Sequence, residues 1–357
     1  MSNNEINDKR SQKDFKGITF SKYKRSDVKK ELLNSLINGK LESSCYWSAE
    51  FICSGNFLEL WEVIILFISK NIHLGNPTIP RYIDLRYNNF KRIVTNGYIG
   101  KELTLRNHNK IRILFAEIIC ILCLSTKKHP YSKIKIKPED FETFNLTDKL
   151  KAKKITYAQS IFKNGDPKEF YISLNELAYN ISIKNTSMAC YWIEWILEFE
   201  ALSKKKKNIV FRSIRRDFIP VDNKYQMDII WIVWELFIHL SLKFNYLKDT
   251  IKSLLNIFCI RYKSGVKKKR RYVLYYAISL LTETYNIQTP LFTENKKIES
   301  IKKKINIIYG QIKKNEIKPQ TDYLFNNSIC EKTKNLENTL SKLDKMENIT
   351  GFIPRIN

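Results

Sequence analysis

The chain has 357 residues, of which 43% are hydrophobic and 13% aromatic, so it can bury a sizeable core and is not a disordered polymer. Its 62 lysines and arginines against 36 aspartates and glutamates leave a formal charge of +26, which attracts phosphate polymers, although an AT-rich coding sequence also produces surface lysines. Seven scattered cysteines, a polar N-terminus and only short apolar runs predict an intracellular protein without a membrane span.

The first 125 residues predict a polar arm followed by a helical module. Residues 1–24 lack a hydrophobic period and are rich in Asn, Lys and Asp, so we expect a mobile arm. Over 25–125, apolar residues recur with helical spacing, and Gly39, Gly55 and Pro77 stand where the periodic stretches end. The predicted helices span 28–37, 43–54, 56–72, 79–96 and 102–125.

A linker, a second helical module and a tail are predicted to follow. Residues 126–150 contain prolines and polar residues that are typical of a linker, with a short extended piece over 133–137. The second module covers 151–290, and the Lys-rich tail covers 291–357. The predicted helices begin near Asp166 and near Cys190, then span 225–242, 246–262, 271–284 and 294–314, with a loop at Pro319 and a weak polar helix over 334–346.

A short motif occurs in both modules. Ser44-Cys45-Tyr46-Trp47 and Ala189-Cys190-Tyr191-Trp192 lie about one domain length apart, each inside a helical pattern. Because Cys and Trp are rare, the repeat indicates an internal duplication. We therefore predict an all-α fold of two related helical bundles with a helical C-terminal extension. In both copies the cysteine is expected to be a small core residue beside Tyr and Trp.

No pattern for catalysis or for cofactor binding stands out. Cys120 and Cys123 form a C-x-x-C, but an apolar helix surrounds them and no second ligand pair follows, which favours a core position over a metal or redox site. Glu50, Glu194 and Glu198 lie on aromatic helices, where a buried hydrogen-bonding role is favoured over an active-site acid. The chain also lacks a Gly-rich phosphate loop. We expect no enzymatic activity, no cofactor and no metal.

Two basic clusters in the second module are the candidate nucleic-acid contacts. Their alternative is a pair of solvated loops or a nuclear-import patch, since basic tracts are not specific. Tyr272, Tyr275 and Tyr276 follow the second cluster, and the last two are expected in the core rather than as stacking platforms. The clusters consist of Lys204, Lys205, Lys206, Lys207, Arg212, Arg215 and Arg216, and of Lys267, Lys268, Lys269, Arg270 and Arg271.

Residues 27–96 resemble a known helical domain. The runs SLING at 35–39, CYWSA at 45–49 and SKNIHLGNP at 69–77, together with Gly55, are similar to the C-terminal helical region of MgsA/RarA-type AAA+ ATPases, relatives of clamp loaders. The ATPase domain of that family is not found in these residues, and Glu59 and Glu62 stand where its long helix is basic. The resemblance implies a collar-like bundle that self-associates or docks to replication proteins, without ATP-driven chemistry.

The whole chain also resembles, in composition and helical texture, a group of proteins from large nucleocytoplasmic DNA viruses. Together these features suggest a non-enzymatic scaffold of viral DNA replication, recombination or repair, in the host cytoplasm or nucleus, that contacts DNA through basic loops. The alternative is a virion-associated or assembly protein that binds the genome or acidic partners. A third class, a nucleic-acid enzyme, would need polar acids gathered in one cleft.

Overall fold

Regular structure in this protein is helical. The computed structural model describes residues 4–242 and 244–317, apart from the side chains of Thr143 and Lys207, and these residues form no β-strand; an isolated bridge joins Ile18 to Lys24. The predicted all-α class is therefore confirmed. No helix in these two ranges combines the length and apolar character needed to cross a bilayer. The predicted features at Pro319 and over 334–346 lie outside the described residues.

The α-helices are Arg25–Ile37 (α1), Leu41–Cys53 (α2), Phe57–Phe67 (α3), Ile79–Thr95 (α4), Asn109–Leu124 (α5), Thr143–Thr147 (α6), Tyr171–Ser182 (α7), Thr186–Lys207 (α8), Ile230–Ser241 (α9), Asn245–Cys259 (α10), Val266–Lys269 (α11), Arg271–Thr282 (α12) and Asn295–Lys313 (α13). Short 3-10 helices cover Gln12–Phe15, His73–Gly75, Glu102–Asn107, Pro138–Phe141, Lys168–Phe170 and Asn223–Tyr225.

In the first module, α1 and α2 form a hairpin that packs on α5. Gly39 and Gly55 end these two helices with φ of +69° and +71°, a backbone conformation that glycine adopts without steric cost. The predicted cap at Ser26 and Asp27 lies inside the first turn of α1, which begins at Arg25. Cys45, Cys120 and Cys123 are buried between α2 and α5, and the Sγ atoms of Cys45 and Cys120 are 3.9 Å apart. The C-x-x-C is thus part of the core.

The long helix predicted over 56–72 changes its winding before it ends. After α3 the backbone forms a π-helical segment, Ile68–Ile72, and then the 3-10 turn His73–Gly75. Here the following chain passes very close, since a Cβ atom on Gly75 would lie 2.3 Å from the carbonyl oxygen of Thr126. Glycine is therefore required by this close approach and not by its own φ.

The helix predicted over 102–125 is two elements. The 3-10 helix Glu102–Asn107 comes first, and His108, with extended backbone angles, separates it from α5. The inside of this corner is held by Arg112, whose Nε donates to the carbonyl of Arg106 at 2.6 Å. Apolar periodicity continues across the corner, so it does not reveal the break.

The second module has a similar order of elements. The hairpin of α7 and α8 packs on α12, as the hairpin of α1 and α2 packs on α5, and α4 of the first module packs against α10 of the second. Cys45 and Cys190 are both buried, but Trp192 is fully buried whereas Trp47 is only half-buried. The shared order agrees with a duplication, which stays a prediction.

The segment predicted as a linker, 126–150, is packed against both modules. The Tyr131 ring stacks on His73 with centroids 4.2 Å apart, and its hydroxyl donates to Ser279 Oγ at 2.6 Å. Further along, Phe141 packs on Trp195, whose Nε1 donates to the carbonyl of Asp140 at 3.0 Å. The piece predicted as extended over 133–137 is neither helical nor part of a sheet; its residues alternate between exposed and half-buried, as in an extended chain, and Lys137 has extended backbone angles.

The N-terminal segment is packed instead of free, in contrast to the predicted mobile arm. Ile6, Phe15 and Phe20 are buried, and the guanidinium of Arg10 lies 4.9 Å and 4.5 Å from the centroids of the two Phe rings. The segment also meets the end of the chain that follows α13, because Lys9 N donates to the carbonyl of Ile317 at 3.0 Å. The segment is polar on average, but burial of its three apolar residues is sufficient to attach it to the core.

Candidate nucleic-acid interface

Arg216, one of the predicted contacts, is completely buried. Its Nη1 and Nη2 donate to the two carboxylate oxygens of Asp166 at 2.5 and 2.7 Å, and its Nε donates to Glu235 at 2.8 Å. Although burial raises the pKa of Asp166, the hydrogen bonds and charge of Arg216 lower it below the usual aspartate value. Arg216 therefore joins the loop before α7, the loop after α8 and α9.

Lys267 is also buried, on the short helix α11. Its Nζ lies 2.5 Å from Glu200 of α8 and 2.7 Å from Asp228, which precedes α9. Burial lowers the pKa of this lysine, but the two carboxylates raise it above its usual value, so the ammonium form is retained. This cation links three parts of the second module.

Arg270 and Arg271 turn inward as well. Arg270 Nη1 donates to the carbonyls of Phe258 and Ile260 at 2.7 Å each, and the same guanidinium forms an ion pair with Glu62 of the first module. Arg271 Nη1 donates to the fully buried Glu194 at 2.6 Å. As expected, Glu194 has a buried hydrogen-bonding role, and it also accepts from Tyr275.

These four side chains correct the predicted interface. Arg216, Lys267, Arg270 and Arg271 are between 0% and 9% exposed, and their charges are compensated by carboxylates or carbonyls, so they cannot reach a phosphate group in this conformation. The physical reason is that their acidic partners lie far away in sequence but next to them in the fold: on α8 for Lys267 and Arg271, on α3 for Arg270, and before α7 and on α9 for Arg216. A basic run at 267–271 is a structural counterpart to those acids.

The remaining predicted cations are at the surface. Lys204, Lys205 and Lys206 are exposed in the last turns of α8, where positive charge also interacts favourably with the helix dipole. They lie on a helix, not on the predicted loop, and Lys207 ends that helix. Arg212, Arg215 and Lys269 are exposed, but Arg215 Nε lies 2.6 Å from Asp217.

Lys268 shares its ion-pair partner with a lysine outside the two predicted clusters. Its Nζ lies 2.8 Å from Glu198 of α8, and the same carboxylate accepts from Lys133 Nζ at 3.3 Å. Burial raises the pKa of Glu198, but the two lysines lower it below its usual value, so it is a carboxylate at neutral pH. Glu198 therefore places the segment before α6 and the helix α11 side by side.

The extended segment 133–137 presents a row of lysines. Lys133, Lys135 and Lys137 are exposed while Ile134 and Ile136 are half-buried and pack towards the core. Alternate residues of an extended chain point to the same side about 7 Å apart. The strict Lys-Ile alternation was the signal in the sequence that could have identified this row.

We call the cations around Glu198 that remain in contact with solvent the basic face; all are exposed except Lys268, which is half-buried. Lys204 follows Glu198 by six helical residues, about 9 Å along α8, and Phe211, next to Arg212, packs on Phe199. Chain geometry thus places the whole set within about 20 Å of Glu198. The basic face consists of Lys133, Lys135, Lys137, Lys204, Lys205, Lys206, Arg212, Lys268 and Lys269.

The three tyrosines that follow the second basic cluster do not form a stacking surface on the basic face. Tyr275 and Tyr276 are buried, as expected, and Tyr272 is half-buried with the Lys70 ammonium 5.2 Å from its ring centroid. The side chains available to a nucleic acid are therefore long, flexible cations. Such cations contact phosphates and do not read base edges.

The described residues bring no cluster of His, Cys, Asp or Glu into metal-binding geometry. Comparison with known proteins adds no relative, since the chain matches no family model, no curated protein and no solved structure. The resemblance of residues 27–96 to MgsA/RarA-type collars therefore stays a prediction that rests on the quoted motifs.

Proposed function

We propose that this protein is a helical scaffold that binds nucleic acid through the basic face. The observation that carries the proposal is that solvent-accessible lysines from three separate segments converge around Glu198. Two of these lysines, Lys133 and Lys268, are ion-paired to its carboxylate. The buried cations Arg216, Lys267, Arg270 and Arg271 are paired inside the core and do not add to this surface. The cations of the basic face remain in contact with solvent. Charge of this kind attracts phosphate polymers.

The proposed binding is independent of base sequence and strongly dependent on salt. Lysines neutralise phosphates and release counterions, so affinity decreases steeply with ionic strength. The role in viral DNA replication, recombination or repair, with self-association or docking to replication proteins, is proposed from the sequence resemblance alone. DNA is the expected polymer on the same ground.

Fluorescence anisotropy with labelled single-stranded DNA, duplex DNA and RNA tests the proposal. The informative variant replaces Lys204, Lys205 and Lys206 by Gln, which removes charge without introducing repulsion. A matched control replaces three exposed lysines of the first module, Lys29→Gln, Lys30→Gln and Lys40→Gln, so that net charge changes equally.

We expect the α8 variant to bind less tightly than the control variant at low salt, with the difference becoming smaller as the salt concentration rises. Equal affinity of the two variants would mean that overall charge, and not the basic face, determines binding. Unfolding curves of both variants check that the change is not a loss of structure, because all six lysines are exposed and their replacement should alter stability by about 0.5 kcal/mol or less each.

A further inference from the structure

A cleft lies between the two modules, and none of its lining residues belongs to the basic face. The cleft has a volume of about 810 Å³, within the range of small-molecule pockets, and ligand sites often lie at such interfaces. One wall is formed by α3 and α4 of the first module, and the other by Pro220 and the end of α10 in the second module. Its walls combine apolar side chains with polar and charged ones, including the carboxylates of Glu59, Asp84 and Glu102.

Helix α4 presents a polar stripe to this cleft. Asp84, Asn88 and Lys91 are spaced by four and three residues, which places them on the same side of the helix with Tyr87. Asp84 accepts a hydrogen bond from Asn256 of α10 at 2.8 Å, so the polar groups of both modules meet here. The Tyr87 ring packs edge-on against Trp61 with centroids 5.1 Å apart, which fixes its position.

Two cations in the cleft have no carboxylate partner. Among residues 4–242 and 244–317, neither Lys91 nor Arg261 forms an ion pair, whereas Arg25, at the cleft margin, is paired with Glu59. Both side chains belong to exposed residues. The cleft thus offers one cation without an ion-pair partner from each of its walls, beside the carboxylates of Asp84 and Glu102, and the two cations could together hold a phosphate.

The backbone of Arg261 is held in an unfavourable conformation. Its φ is +42°, in the left-handed region that non-glycine residues seldom adopt, and it follows the last turn of α10. Arg270 binds the carbonyls of Phe258 and Ile260 just before it and thereby fixes this turn. A glycine would adopt this conformation without strain, and strain of this kind is frequent at ligand sites; the Arg261 side chain lines the cleft.

We propose that the cleft binds a nucleotide. Arg261 and Lys91 would pair with its phosphate, the apolar walls with Tyr87 would contact a flat aromatic base, and the carboxylate of Asp84 with the amides of Asn88 and Asn256 would hydrogen-bond to the base edge. Such a ligand would join the two modules, because its phosphate is held by one cation from each of them.

Thermal unfolding of the full chain with the four common nucleoside 5′-monophosphates tests this site. We expect at least one of them to raise Tm by about 3–5 °C at a hundred times its Kd, and inorganic phosphate or the bare nucleoside to raise it less. The key variant is Arg261→Gly, which removes the charge while relieving the backbone, so that its unliganded Tm should equal or exceed that of the wild type.

The variant Arg261→Gly should lose the nucleotide-induced shift, and Lys91→Gln should reduce it. Lys184→Gly is the matched control, since Lys184 has a φ of +61° and lies in the turn between α7 and α8, outside the cleft. That control should keep the shift, as should the Lys204, Lys205 and Lys206 variant. The proposal would be overturned if no monophosphate raised Tm, or if Arg261→Gly showed the same shift as the wild type. It would also be overturned if a 5′-phosphorylated oligonucleotide bound but none of the monophosphates did.

Discussion

Arg216 and Asp166 form a doubly hydrogen-bonded ion pair that is completely closed off from solvent in the second module. The pair fixes the loop that leads into α7 against the loop that follows α8. Both side chains have 0% exposure, so neither charge can be solvated if its partner is removed. This relationship explains why a basic cluster in the sequence became part of the core.

Removal of one partner should therefore be costly. We expect Arg216→Ala to lower the free energy of unfolding by about 3–5 kcal/mol, because the buried charge of Asp166 loses its cation, and Asp166→Ala to lower it by less, because Glu235 still pairs with Arg216. Urea unfolding measures this. The double variant Arg216→Met with Asp166→Leu should lose less than the sum of the single changes, since it removes both charges. Additive losses would contradict the pairing.

The same pair predicts a pH dependence with a defined sign. The folded-state pKa of Asp166 is below its unfolded value, so its contribution to stability is present above the unfolded pKa of about 3.9 and is lost as pH falls through the folded pKa. The difference in unfolding free energy between wild type and Asp166→Asn should be constant from pH 8 to about 5 and should decrease below about pH 4. A difference that does not change between pH 3 and 7 would argue against it.

The cysteines of the described residues should be chemically silent in the folded protein. Cys45, Cys53, Cys120, Cys123, Cys190 and Cys259 are all buried. Burial raises the pKa of Cys53, Cys190 and Cys259, which keeps the thiols protonated and unreactive. Iodoacetamide labelling followed by peptide mass spectrometry should modify these six residues only after denaturation. Rapid native labelling of Cys120 or Cys123 would reopen a redox role.

Much of the helical order follows from local sequence, as α1, α2 and α4 illustrate. Apolar period and glycine turns place the ends of these helices within two or three residues of their predicted limits. The break at His108 and the π-helical segment after α3 are different, because side-chain and long-range contacts hold them: Arg112 binds the carbonyl of Arg106, and the carbonyls of Lys70 and Asn71 accept from the backbone of Tyr131 and Lys128. Contacts of this kind leave no period in the sequence.

In the candidate site, too, local sequence predicts some features, while others depend on long-range contacts. The sequence reveals that residues 267–271 are basic, but not that Glu194, Glu198 and Glu200 face them from α8, so it cannot separate a structural cation from an exposed one. Lys204, Lys205 and Lys206 are exposed because the nearby acids Glu198 and Glu200 pair with other lysines, Lys133, Lys268 and Lys267. The row at Lys133, Lys135 and Lys137 was missed because lysines at alternate positions do not form a run.

Loss of the Glu198 carboxylate should strengthen DNA binding, whereas loss of the lysines should weaken it. This carboxylate lies at the centre of the basic face and pairs with Lys133 and Lys268. Its replacement in Glu198→Gln should release both lysines and remove one negative charge, so affinity for DNA should increase. Anisotropy titration at fixed salt measures the change, and Glu139→Gln, an exposed acid outside those ion pairs, is the control. A weaker complex in Glu198→Gln would speak against the basic face as the binding surface.

The salt dependence of DNA binding tests whether the basic face contacts phosphates. If the basic face contacts phosphates, a plot of log K against log salt concentration has a steep negative slope for the wild type. Replacement of Lys204, Lys205 and Lys206 by Gln should make that slope shallower by about 1 for each lost contact, whereas the variant with Lys29, Lys30 and Lys40 replaced should keep the wild-type slope. Identical slopes for all three proteins, or no binding at low salt, would contradict the account.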